Sequence, residues 1–165
     1  MRFIAGFITA FIVLSIAGLA VVFGGFVTIA AREPHSAPVF FLLQTAMRQS
    51  VARQAARAPP PAPSTDIARG FRLYNEACVY CHGGPGKDPV DIGKGLNPEP
   101  PFLPDTIQRW SATEIFWIVK NGVRMSGMPS FAESHSDDEL RAVVAFVQKL
   151  PGMSAEQYAA YEKGQ

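Results

Sequence analysis

Only two cysteines and three histidines occur among the 165 residues of this chain, and both cysteines fall within one short motif. No second C-x-x-C or His pair is present to complete a zinc tetrahedron. No stretch alternates apolar and polar residues as a half-buried strand would, and the segment from Gly83 to Pro104, dense in Gly and Pro, reads as irregular loop. What is left is an all-α fold. Charge is sparse and balanced, with 15 Lys or Arg against 14 Asp or Glu, so no basic stripe suggests nucleic acid binding. No constellation of acid, base and nucleophile recommends an enzyme, and no small-molecule substrate is expected. From Phe3 to Ala31 charge is missing altogether.

That uncharged run, interrupted only by Thr9, Ser15 and Thr28 among its polar side chains, is long enough to cross a membrane. As one helix of about 29 residues it would reach about 43 Å, against roughly 30 Å of hydrocarbon, which requires tilt or protruding ends. A secretory signal is the competing reading. Its apolar region is shorter, about 7 to 15 residues, and Thr28-Ile29-Ala30 only loosely imitates a cleavage site. An uncleaved single-pass anchor over 1–31 is the better expectation.

Beyond the anchor the composition changes twice. Between Pro38 and Arg57, Val39, Phe40, Leu43, Met47, Val51 and Ala55 recur at helical spacing among Gln44, Arg48, Gln49, Arg53 and Arg57. Such a basic amphipathic helix can rest on anionic head groups, each Lys or Arg contributing about 1 kcal/mol near the surface; docking on a partner protein and a passive spacer are the alternatives. Ala58–Pro63 reads APPPAP, a semi-rigid extended tether. Residues 32–65 are thus an arm and linker, and 66–165 a globular head. The head holds 10 Lys or Arg against 13 Asp or Glu, net −3, which leaves +4 on the preceding 65 residues.

Within the head, Ser64, Thr65 or Asp66 can cap a helix running to about Ala77, with Ile67, Gly70, Phe71 and Tyr74 on one face. Ser111-Ala112-Thr113-Glu114 is a capping box for a helix ending at Asn121-Gly122. Ser136-Asp137-Asp138-Glu139 opens another through Leu150, whose stripe is Leu140, Val143, Val144, Phe146, Val147 and Leu150. Ser154-Ala155-Glu156-Gln157 repeats the pattern over a short last helix ending near Tyr161.

The first head helix runs into Cys78-Val79-Tyr80-Cys81-His82. The spacing C-x-x-C-H is that of covalent haem attachment, in which each thiol reaches one porphyrin vinyl and the next imidazole turns under the ring to ligate iron. A disulfide or a thioredoxin-like pair would not call for the adjacent His. One covalently attached haem c is expected, and in a head this small it would form part of the core. The second axial ligand is expected from Gly127-Met128-Pro129, 46 residues after His82. Met128 supplies a soft neutral thioether that raises the potential, and Pro129 stiffens its loop. Met125, His135 and an open iron are the alternatives. Trp110 and Trp117 are expected in core and pocket packing, and His35 in an exposed loop.

The ordered pieces RGFRLYNEACVYCHGGPG, GLNPEPPFL, EIFWIVKNGVRMSGMPSF and HSDDELRAVVAFVQKLPGMS resemble those of class I monohaem cytochromes c over about residues 66–155. They are especially similar to bacterial membrane-associated domains related to the haem subunit of cbb3-type oxidases, although that subunit carries two haem motifs and this chain one. The resemblance implies short helices around the haem, first and last helices crossing near Gly70 and Phe146, and His82 and Met128 as axial ligands. It also implies that a proline carbonyl between Asn97 and Pro101 receives the Nδ1 proton of His82. Arg2 before the anchor and Arg32, Arg48, Arg53 and Arg57 after it leave the charge rule indecisive about topology. Haem attachment outside the cytoplasm, as in bacterial c-type cytochromes, places the head in the periplasm and the anchor in the inner membrane. The expected role is single-electron transfer between redox proteins such as a membrane dehydrogenase, a bc1-type complex or a terminal oxidase, in a respiratory or photosynthetic chain. The alternatives are a fixed subunit of a dehydrogenase or oxidase complex, and a haem enzyme or gas sensor with a labile Met128.

Overall fold

The apolar amino-terminal run forms α1, Arg2–Phe23, in the computed structural model, which describes residues 2–164. At 1.5 Å per residue its 22 residues span about 33 Å, close to the roughly 30 Å of a hydrocarbon core. It is shorter than the uncharged run because Gly24 and Gly25 stop it, Gly25 turning left-handed at φ +67°. None of its side chains is buried, and by length and composition it qualifies as a membrane span. The chain divides into two compact units at Glu33/Pro34.

The second unit begins with α2, Ala37–Ala55, with a proline in its first turn, where the missing N–H costs nothing. The apolar pattern over 38–57 does form a helix, but only its carboxyl-terminal half is covered. Val51 and Ala55 are buried, Met47 is half-buried, and the Arg48 guanidinium lies 4.8 Å from the centre of the Trp110 ring. The surface receiving this half is α7, Ala112–Asn121. The basic helix is therefore docked at one end on its own head.

Of the three cap candidates Asp66 acts, its carboxylate accepting from the Arg69 amide at 3.0 Å. The helical run it opens is continuous to His82, as α3 (Ile67–Leu73), a π-helical turn (Tyr74–Cys78) and α4 (Val79–His82). Next come two single turns, α5 (Asp91–Lys94) and α6 (Leu103–Thr106), the latter continued by a 3-10 turn over Ile107–Arg109. After α7 follow α8 (Asp137–Val147) and α9 (Ala155–Lys163). Both capping boxes expected at Ser111 and Ser136 are formed, as is the third at Ser154. Among the described residues there is no strand, only an isolated bridge between Gly84 and Lys87.

The core sits where α3 crosses α8. Gly70 lies so close to the Ala142 carbonyl that a Cβ there would overlap it and approach the Phe146 Cβ. The expected stripe from Leu140 to Leu150 is buried throughout, although α8 ends at Val147 and Leu150 lies in the turn that follows it. Phe71 meets Phe146 and Tyr158 edge-on, each at 5.3 Å between ring centres, and stacks on Tyr161 of α9 at the same distance. Half-exposed ion pairs stitch the rim: Arg69 to Glu139 at 2.9 Å and Lys120 to Asp137 at 2.7 Å.

Candidate functional site

Helix geometry gathers the motif. Cys78 closes the π turn, in which the Val79 amide reaches back to the Tyr74 carbonyl, and Cys81 and His82 follow within the single turn of α4. A π turn inserts extra chain into a helix and rotates what comes after it; here it re-aims the whole attachment motif relative to α3. Both thiols are free. Burial and the neighbouring Cys81 push the Cys78 thiol up to about 12, so it stays protonated at neutral pH.

His82 is oriented from outside its own helix. Its Nδ1 lies 2.9 Å from the Pro101 carbonyl, which can only accept, so Nδ1 carries the proton and Nε2 presents its lone pair. Desolvation lowers the His82 pKa, opposed by the bond to Pro101, and so favours the neutral ring, while that bond selects the Nδ1–H tautomer. Of the prolines in the 97–101 loop, Pro101 is thus the partner. Tyr74 helps hold the turn: its buried hydroxyl donates to the Gly83 carbonyl at 2.6 Å.

The turn α5 bridges the motif to the methionine loop. Val90 donates its amide to the Tyr80 carbonyl at 2.9 Å, and Gly93 approaches the Cys81 backbone so closely that a Cβ would stand 2.9 Å from the Cys81 Cα. Leu96, just beyond α5, packs against Gly127. Neither Gly93 nor Leu96 stood out in the sequence; a short Gly-rich segment after C-x-x-C-H was the available signal.

Met128 packs, half-buried, against the core cluster. Its loop is pinned by the Val123 amide to the Met128 carbonyl at 3.1 Å, the Met128 amide to Ser126 Oγ at 3.2 Å, and Ser130 Oγ to the Lys120 carbonyl at 2.8 Å. The alternatives fare differently. Met125 is 90% exposed at a left-handed φ of 61°, and the His135 Nδ1 is engaged by Ser134 Oγ at 2.8 Å while its ring leans on Phe131. Trp110 packs against the core cluster beneath Arg48.

Two free thiols and an Nε2 lone pair within five residues fit the demands of a covalently attached haem. Among the described residues no group of three or more His, Cys, Asp or Glu could hold a bare metal ion. An all-α head with this motif and a half-buried Met on a separate loop defines a c-type cytochrome. Residues 65–147, half of the chain, match the family described as cytochrome c oxidase, cbb3-type, subunit III, and the chain belongs to that family. It is accordingly a haem c protein of electron transfer. No curated protein matches it.

Proposed function

We propose that this chain is a membrane-anchored monohaem cytochrome that passes single electrons between redox proteins at the periplasmic face of a bacterial inner membrane. Cys78 and Cys81 would hold the porphyrin through thioethers, and His82 Nε2 and the Met128 sulfur would bind the iron. When bound, the haem supplies a one-electron iron couple in the upper part of the accessible range of potentials. The observation that best supports this reading is the bond from His82 Nδ1 to the Pro101 carbonyl, which fixes the ring tautomer and leaves Nε2 free as a ligand. With His82 and Met128 both serving as ligands, no position on the iron would be left for oxygen or substrate. Near the motif, exposed Tyr80, Val90 and Ile92 form an apolar surface, suited to brief docking over less than about 1,200 Å². A dehydrogenase, a bc1-type complex or a terminal oxidase could sit on either side of it in a respiratory or photosynthetic chain.

The test is a reduced-minus-oxidised spectrum of the detergent-solubilised protein, repeated with carbon monoxide. A sharp c-type spectrum indifferent to carbon monoxide is expected. A large, fast shift would mean an open iron and an enzyme or sensor.

The family's description as an oxidase subunit favours one second reading, a permanent subunit of a membrane complex. Stoichiometric partners copurifying in mild detergent would support it over a free carrier.

A further inference from the structure

The amino-terminal half of α2 is unlike its docked half. Val39, Phe40, Phe41, Leu42 and Leu43 are consecutive, and all five are exposed. At 100° per residue five consecutive positions encircle a helix, so they form a collar and not a stripe. A groove on a protein would cover one side of such a collar; only an environment apolar on all sides covers the whole. The collar measures about 7 Å along the axis, the depth to which interfacial helices sink into a bilayer. It is also the end of α2 nearer in sequence to α1, 13 residues separating Phe23 from Ala37. From Pro34 to Thr65 there is no acidic residue, and Arg53 and Arg57 are exposed.

We propose that α2 is a strut planted end-on in a lipid surface. Its Val39–Leu43 collar enters the head-group and acyl boundary, and the opposite end holds the head, Val51 and Ala55 against α7 and Arg48 over Trp110. The head is thereby held at one orientation to the membrane instead of swinging on a tether. This rests on reading α1 as the membrane anchor, which the test must check separately.

Full-length haem-loaded protein would be reconstituted in phosphatidylcholine and phosphatidylglycerol vesicles, carrying one nitroxide label at Phe41→Cys, Leu42→Cys or Leu43→Cys. Controls are Leu14→Cys in α1 and Gln54→Cys in the docked half of α2. The readout is collision with oxygen, which partitions into lipid, against collision with a water-soluble nickel chelate. All three collar labels should show oxygen contact raised and chelate contact reduced several-fold relative to position 54. Chelate contact as high as at position 54 would overturn the proposal, and so would labels shielded from both quenchers, which would mean a protein partner or a second copy. Lipid burial at only one of the three positions would also overturn the end-on arrangement. If the Leu14→Cys label lies outside the lipid, it is the anchor that fails.

Discussion

Two buried tyrosines of the head differ in what their hydroxyls do. Tyr74 donates to the Gly83 carbonyl at 2.6 Å, whereas the Tyr158 hydroxyl is buried without a partner. Burial raises the pKa of both, so both remain neutral. Removing a buried partner costs about 1–3 kcal/mol, while removing an unpaired hydroxyl costs little. Tyr74→Phe should therefore destabilise the head by about that amount and Tyr158→Phe should leave it unchanged or slightly more stable, as measured by denaturant unfolding. Met128→Ala should abolish the far-red Met-to-ferric-iron band and lower the midpoint potential; persistence of the band would remove Met128 as ligand. These residues differ in how readable they are. The C-x-x-C-H spacing is a local code and stands in the sequence, and Pro129 already favours Met128 over Met125 there; the structure adds that Met125 is exposed while Met128 packs against the core cluster.

Helix ends were the most legible elements. Ser111, Ser136 and Ser154 each cap as their four-residue boxes require, because a capping box is closed within one turn and needs no distant contact. Glu139 shows the electrostatics of such a box. The Ser136 amide and hydroxyl, then Arg69, hold its carboxyl down from the ordinary 4.5 to about 2. A depressed carboxylate stabilises the fold fully above pH about 4.5, and that contribution is lost as pH falls through about 2. Glu139→Gln should flatten the acid limb of the stability curve between those values in a pH series of thermal melts. The π turn before Cys78 was not legible, since an extra residue in a helix depends on what the flanking segments pack against; the stop at Gly24-Gly25 is a local signal that the uncharged run to Ala31 masked. At the α3–α8 crossing, where backbones nearly touch, Gly70→Ala must push the helices apart. A loss of about 2–3 kcal/mol or more is expected on calorimetry, and a stability change below about 0.5 kcal/mol would show that the approach is looser than it stands here.

On the scale of the whole molecule, the division at Glu33/Pro34 predicts where the chain can be cut. A fragment of 34–165 should keep the redox spectrum of the full protein. One beginning at Asp66 loses Val51 and Ala55 from the α7 surface and should melt several degrees lower, by the scale on which about 1 kcal/mol moves a domain of this size 4–8 °C. Equal melting temperatures would mean that α2 adds nothing to the head. By itself the sequence determined the all-α class, the helix caps, the apolar span and the attachment motif, because each is written in neighbouring residues through hydrogen bonds, periodicity or covalent reach. Only the tertiary structure decided that Pro101 holds His82, that Leu96 joins the motif's bridge to the Met128 loop, and that half of the basic helix lies on α7 while the other half stands uncovered. Those choices compare surfaces far apart in the chain, and no short-range pattern records which of several equivalent residues comes within 3 Å of a partner.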